Sequence, residues 1–79
     1  MFYVYVLRSE ETGRRYVGSS RDVHSRLQQH NSGHSLATKH GAPWRLIHQE
    51  EFLTRTEAVR RERFYKTGRG REFLDQLTG

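Results

Sequence analysis

The N-terminal part of the chain carries two short apolar runs separated by polar turn residues. Aromatic and β-branched side chains fill most of positions 2–7, and a second run follows at Tyr16 and Val17. Such residues favour strands, and the Glu-Glu-Thr-Gly segment at 10–13 has the length and the glycine of a common hairpin loop. The pattern therefore predicts an antiparallel β-hairpin.

The loop length also predicts the register of this hairpin. It sets Ser9 opposite Arg14, and Tyr5 opposite Gly18. Because successive side chains of a strand point to opposite faces, Tyr5 and Tyr16 then share one face of the sheet. The other face is expected to be apolar and to pack against helices, with valines at positions 4, 6 and 17.

A first helix is predicted near residues 21–32. Ser19 or Ser20 is suited to cap it, and Asp22 would lie in its first turn, where a negative charge favours the helix dipole. Gly33 follows as a natural stop because glycine readily adopts a left-handed backbone. Positions four apart share a helix face, so Asp22, Arg26 and His30 form one stripe of this helix.

The middle of the chain predicts an exposed loop and a third strand. Residues 33–43 contain three helix breakers and no sustained periodicity, which is typical of a loop that carries function. Residues 44–52 alternate imperfectly and follow a proline, as a strand does. The expected phase of this strand puts Trp44, Leu46 and Phe52 together and Ile47 opposite them.

The C-terminal part predicts two helices. Thr54 and Glu57 form a capping box at the start of the second helix, which is expected to run to Lys66. The Thr-Gly-Arg-Gly-Arg segment at 67–71 is interpreted as a flexible basic connector, with a phosphate-binding loop as the alternative. A short final helix is expected to be anchored by three apolar residues, Phe73, Leu74 and Leu77.

Composition narrows the class of protein. The chain has 79 residues, a formal net charge of +5 and no cysteine, so we expect a single domain over residues 1–79 with a modest core and no disulfide or thiolate metal site. The first apolar run ends at Arg8, too early for a membrane span, and it lacks the basic n-region that is typical of a signal peptide. These features predict a cytoplasmic protein that does not enter a membrane.

The cations are mostly arginine, which matches phosphate in a bidentate fork. Charge alone leaves two interpretations open, a nucleic-acid-binding protein or an arginine-rich solvated surface. Particular residues must decide between them.

Five residues indicate where chemistry is located. Arg26 and His30 lie four apart on the first helix, where Arg26 is also expected to pair with Asp22. Glu62 lies on the inward side of the second helix, and spacing alone favours an ion pair with Arg26 over a hard cation such as Mg²⁺. Tyr5 and Tyr16 alone would suggest core packing, but with these three they form a titratable cluster that indicates a functional site.

In this order the residues resemble the GIY-YIG nuclease superfamily, and in particular its small standalone bacterial branch. Tyr3-Val4-Tyr5 corresponds to the first motif and Tyr16-Val17-Gly18 to the second, and Arg26, His30 and Glu62 follow at the family's spacing. Two positions depart from the family pattern. Tyr3 replaces a glycine, and the late asparagine of many members is absent because Asn31 is the only asparagine.

The resemblance implies an α+β fold in which a three-stranded antiparallel sheet is flanked by helices. It also implies a metal-dependent DNA endonuclease in which Glu62 binds one Mg²⁺ or Mn²⁺ ion. Arg26 would neutralise charge on the phosphate, Tyr5 would orient the water, and Tyr16 and His30 would form the general-base route. DNA is then expected to contact basic residues around the site, namely Arg21, Lys39, His40, Lys66, Arg69 and Arg71.

Two other functions remain open. The missing asparagine is compatible with a non-catalytic nucleic-acid-binding module that keeps the nuclease scaffold. A small core is also compatible with a subunit completed by a protein partner, although a monomer or a weak homodimer is expected. If the chain is a nuclease, we expect selectivity for DNA structure rather than sequence and a role in DNA repair.

Overall fold

The computed structural model describes residues 1–36 and 38–78. Their elements, in chain order, are β1 (Phe2–Ser9), β2 (Arg15–Ser20), α1 (Val23–Asn31), β3 (Trp44–Phe52), α2 (Arg55–Tyr65) and α3 (Gly68–Thr78). The strands form one antiparallel sheet in the order β2-β1-β3. The expected α+β fold with a three-stranded antiparallel sheet and flanking helices is therefore confirmed.

The hairpin has the predicted register. Tyr5 pairs with Gly18, and the Ser9 amide donates to the Arg14 carbonyl at 2.9 Å. Gly13 in the connecting turn has a φ of +77°, a left-handed conformation that side chains rarely adopt. The two faces separate as expected, because the valine face packs in one buried cluster and the tyrosine face in another. The first cluster contains Val4, Val6, Val17, Ala58, Tyr65 and Leu74.

A β-bulge in β3 overturns its predicted phase. Val6 of β1 pairs with His48 whereas its neighbour Leu7 pairs with Leu46, so Ile47 is an extra residue on β3. An extra residue reverses the alternation beyond it. As a result Phe52 packs with Ile47 against the valine cluster, and not on the face of Trp44.

Helix α1 begins later than predicted because Asp22 is its N-cap. The Asp22 carboxylate accepts a hydrogen bond at 3.0 Å from the amide of the third helical residue. Ser19 and Ser20, the predicted caps, belong to β2 instead. The helix ends at Asn31, and Gly33 has a φ of +79°, in agreement with the predicted stop.

The loop before β3 is more buried than predicted. Thr38 is 1% exposed, and its carbonyl accepts a 2.8 Å hydrogen bond from the Trp44 indole. The Asn31 side chain bonds both the amide and the carbonyl of Trp44. The lone asparagine therefore fixes this loop against β3. Position 37 of the predicted loop lies outside the described residues.

Helix α3 starts where a flexible connector was predicted. Thr54 caps α2 as expected, but Gly68 already begins α3, and the Gly70 amide donates to the Thr67 hydroxyl at 3.1 Å. The sequence predicted no helix at 67–71 because its two glycines locally disfavour one. Packing of α3 on α2 favours the helix that forms there. Of the three expected anchors only Leu74 is buried; Phe73 is 41% exposed and Leu77 48%.

None of the helices in the described part of the chain is long and apolar enough to cross a membrane.

Candidate active site

A buried tyrosine–histidine pair lies at the centre of the site. Tyr5 on β1 is 1% exposed and His30 on α1 is 0% exposed, and the Tyr5 hydroxyl lies 3.0 Å from His30 Nε2. The Tyr5 ring reaches this position by crossing directly over Gly18. A Cβ at Gly18 would lie 2.6 Å from the Tyr5 hydroxyl oxygen, so only glycine leaves room for the ring.

Tyr16 packs against this pair and faces a cleft. Its ring centroid lies 4.7 Å from that of His30 and 6.3 Å from that of Tyr5. Tyr16 is partly exposed and lines a cleft of about 360 Å³ together with Leu36 and His40. Of the two tyrosines of the cluster, Tyr16 is therefore the one that a bound molecule can contact directly.

Thr38 is a member of the site that sequence reasoning missed. Its hydroxyl lies 2.7 Å from His30 Nδ1, so both ring nitrogens of the buried histidine have a hydroxyl partner. The sequence placed Thr38 in an exposed loop and gave it no role. A threonine eight positions after a histidine has no periodic relation to it, and only the folding of the loop over α1 brings them together.

Burial keeps the central pair neutral near pH 7. It raises the pKa of Tyr5, although the nearby Arg26 guanidinium opposes this change. Burial and the charge of Arg26 both lower the pKa of His30. A neutral imidazole has one N–H donor and one acceptor nitrogen, which suits a hydroxyl group on each side.

The lowered pKa of His30 predicts a loss of stability in mild acid. The unfolded chain binds this proton below its ordinary pKa of 6.5, whereas the folded protein does not until the pH reaches the lower folded pKa. As the pH decreases through that window, the free energy of unfolding should decrease by up to about 1.4 kcal/mol per pH unit. Above the window His30 adds no pH dependence. Thermal unfolding at a series of pH values measures the effect.

The His30→Gln variant isolates this contribution, since it removes the titrating group. Its stability should change less between neutral and mildly acidic pH than that of the wild type. His24→Gln, an exposed histidine on the same helix, serves as the control. Equal acid sensitivity of the wild type and His30→Gln would show that His30 is not held neutral.

Arg26 has no carboxylate partner among the residues that the structure describes. Its guanidinium donates to Gln29 at 2.8 Å and lines a second cleft, of about 410 Å³, with Ser19 and Arg21. The expected ion pairs with Glu62 and with Asp22 are therefore wrong. The Asp22 carboxylate caps its own helix, and Arg26 keeps an unneutralised charge facing the cleft.

Glu62 is instead held by a serine and a lysine. Its Oε1 accepts from the Ser19 hydroxyl at 2.7 Å, and its Oε2 pairs with Lys66 Nζ at the same distance. The carboxylate side chain is 20% exposed. Its charge acts on Tyr5, whose pKa it helps to raise after the larger effect of burial. Glu62 thus joins the cluster from α2 at the end of β2.

The donor set around Glu62 fits a hydrated Mg²⁺ ion. No cluster of three or more acidic or histidine side chains suited to a metal occurs within residues 1–36 and 38–78. Mg²⁺ needs no such cluster, because it commonly binds through one or two carboxylates and keeps waters and substrate phosphate oxygens as its other ligands. Glu62 supplies one carboxylate, provided that Lys66 releases Oε2.

Three of the six predicted DNA-contacting residues lie near the site. Those near the site are Arg21, which lines the second cleft, His40, which lines the first, and Lys66, which pairs with Glu62. Arg69 lies instead on a groove of α3 beside Phe64 and Phe73, apart from the cluster. Two further cations, Lys39 and Arg71, are exposed on the loop and on α3.

Comparison with known proteins identifies the family of the chain. A family model described as the GIY-YIG catalytic domain matches residues 1–73. The chain is 36% identical over 66 residues to the UPF0213 protein SSP2268 of Staphylococcus saprophyticus, covering 82% of this chain and 79% of that protein. A UPF0213 protein of Staphylococcus aureus strain Mu3 matches with the same identity and coverage.

A solved structure is similar over the whole chain. The solution NMR structure of the UPF0213 protein BH0048 from Bacillus halodurans has a TM-score of 0.59 and 35% sequence identity, and the match covers 100% of this chain and 87% of that one. These findings confirm the resemblance drawn from the motifs. The chain belongs to the GIY-YIG family, and its relatives include the small UPF0213 proteins.

Proposed function

We propose that this protein is a metal-dependent DNA endonuclease. The observation that carries the proposal is the meeting of three kinds of group where β2 ends: a neutral tyrosine–histidine cluster, an arginine without a carboxylate partner, and a half-buried carboxylate. Hydrolysis of a phosphodiester needs a route for the proton of water, a positive charge for the phosphate, and a ligand for a divalent ion. Nucleases of this family generally use such ions.

Tyr16 differs in exposure from Tyr5 and His30, and this difference suggests different roles for them in proton transfer. The oxygen of water attacks phosphorus, its proton must leave, and the bond to the departing oxygen breaks. Tyr16 is partly exposed and can contact the attacking water, whereas Tyr5 and His30 have almost no exposed surface. His30 would then act through the tyrosines, and Thr38 would hold its ring in position.

Residues at the second cleft would stabilise the negative charge of the phosphate. A divalent ion held by Glu62 would act as a Lewis acid toward the scissile phosphate. The Arg26 guanidinium lines this cleft with the Ser19 hydroxyl that holds Glu62, so it is placed to neutralise the charge that develops in the transition state. DNA repair and selectivity for DNA structure are parts of the same proposal.

The direct test is a cleavage assay on a panel of labelled DNAs that includes duplex, flap, branched and single-stranded forms. Purified protein should cut at least one form when Mg²⁺ or Mn²⁺ is present and none after chelation. Cleavage that persists in excess chelator would contradict the proposal.

Replacing Arg26 with glutamine should slow this cleavage by about 10²- to 10³-fold, the usual cost of losing one group that stabilises transition-state charge. The loss should appear in kcat more than in KM, because the negative charge on the phosphate increases in the transition state beyond that of the bound phosphodiester. Arg26→Lys should retain part of the rate. Arg45→Gln, an exposed arginine on β3, is the control. Equal rates for Arg26→Gln and Arg45→Gln would exclude this role.

The second candidate function is a non-catalytic nucleic-acid-binding module. Two observations favour it: both oxygens of Glu62 are already engaged, and the lone asparagine is used to hold the Trp44 backbone. This candidate predicts DNA binding that weakens with salt, without metal-dependent cleavage of any DNA in the panel. The same assays therefore decide between the two functions.

A further inference from the structure

The outward face of α2 is strongly basic and extends away from the site described above. Three exposed arginines, Arg55, Arg60 and Arg63, line a groove of about 340 Å³ together with Thr56 and Val59. We call these three residues the α2 arginine face. Neither the family motifs nor the sequence pattern gave them a role.

The positive charges of this face are not neutralised within the described protein. On α2 the ion pairs join Arg61 to Glu50 and Lys66 to Glu62, and none involves the α2 arginine face. The nearby Glu57 is engaged by the hydroxyl of its own capping partner, at 2.9 Å. The three guanidinium groups therefore have no carboxylate partner among the described residues.

The arrangement opposes the stability of the helix that carries it. Arg55 occupies the first position of α2, where the helix dipole disfavours a positive charge. Arg60 and Arg63 lie three residues apart on one face, and like charges at that spacing repel. An anion bound along the face would relieve both effects.

Arg55 connects this face to the candidate active site. It also lines the second cleft, which contains Arg26 and Arg21. The guanidinium carbons of Arg21 and Arg55 lie 5.3 and 5.5 Å from the centroid of one ring, that of Phe2. Stacking on this ring holds the two cations close together, so positive charge continues from the cleft onto α2.

We propose that the α2 arginine face binds the sugar–phosphate backbone of DNA and guides it to the cleft of Arg26. The inference deepens the proposed function and rests on it. Arginine forks match phosphate oxygens and carry no base preference, so the contact is independent of sequence. From Arg55 to Arg63 the helix rises about 12 Å, which corresponds to roughly three nucleotides of one strand.

The test measures binding without cleavage. Fluorescence anisotropy with a labelled duplex, in the presence of chelator, gives the affinity at several salt concentrations. Each phosphate contact contributes about 0.9 to the slope of log affinity against log salt. Each single variant, Arg55→Gln, Arg60→Gln or Arg63→Gln, should make the slope less steep by about 0.9. The triple variant should make it less steep by about 2.7. Arg45→Gln, which also removes one exposed positive charge, should leave the slope unchanged.

The outcomes separate this inference from the proposed function. A protein that binds through these arginines but never cleaves supports the inference and contradicts the nuclease. A protein that cleaves, and whose triple variant keeps the wild-type affinity and slope, overturns the inference alone. The inference would also be overturned if the triple variant lost binding to anionic lipid vesicles while its DNA binding stayed unchanged. If the triple variant fails to fold by circular dichroism, the three single slopes decide.

Discussion

The Glu62→Gln variant is expected to lose DNA cleavage almost completely. The substitution keeps the shape of the side chain and an oxygen that can accept the 2.7 Å hydrogen bond from Ser19. It removes the charge that a divalent ion requires. Because metal assistance is worth several kcal/mol in the transition state, the rate should fall by about 10³-fold or more.

Stability should change little in the same variant. The ion pair that is lost joins Glu62 to Lys66, whose side chain is 52% exposed, and such pairs contribute less than about 1 kcal/mol. Thermal unfolding measured beside single-turnover cleavage therefore separates loss of chemistry from loss of fold. Glu72→Gln, an exposed glutamate on α3, is the matched control. If Glu62→Gln cleaves as fast as Glu72→Gln, the activity belongs to another residue or to a contaminant.

Replacing Gly70 with alanine should destabilise the fold strongly. A Cβ at this position would lie in hard contact with the Phe64 carbonyl oxygen and 2.6 Å from the Tyr65 Cα. These are backbone atoms of α2, which cannot move aside as a side chain can. Overpacking of this kind costs about 3 kcal/mol or more, a large share of the stability of a domain this size.

Gly68→Ala provides the comparison within the same turn of α3. A Cβ at Gly68 meets nothing within 4 Å, so alanine should be neutral or slightly stabilising at this first position of the helix. Thermal unfolding should place the Tm of Gly70→Ala more than about 12 °C below that of Gly68→Ala, and urea should unfold Gly70→Ala at a lower concentration. Similar midpoints would show that α3 does not approach α2 this closely in solution.

Local patterns predicted the regular elements well because each depends on neighbours in sequence. The loop at 10–13 predicted the pairing of Tyr5 with Gly18, and the Thr54 cap predicted the start of α2. The motif order predicted the family. The bulge at Ile47 was not predictable in this way, since it depends on how β3 aligns with β1.

The candidate site was predicted only in part. The sequence predicted that Tyr5, Tyr16 and His30 belong to one cluster, and in the structure their rings pack together. It paired Glu62 with Arg26, whereas Ser19 and Lys66 hold the carboxylate. The roles of these residues in catalysis stay predictions.

The sequence by itself determined the strands, most of the helices, the hairpin register and the motifs, because turn chemistry, capping and periodicity are local. Only the tertiary structure decided the partners of the polar groups. Thr38 meets His30 through a folded loop, Gly70 lets α3 rest on α2, and Arg55 meets Arg21 through Phe2. These contacts join residues from separate elements, and their geometry follows from packing, which no local pattern encodes.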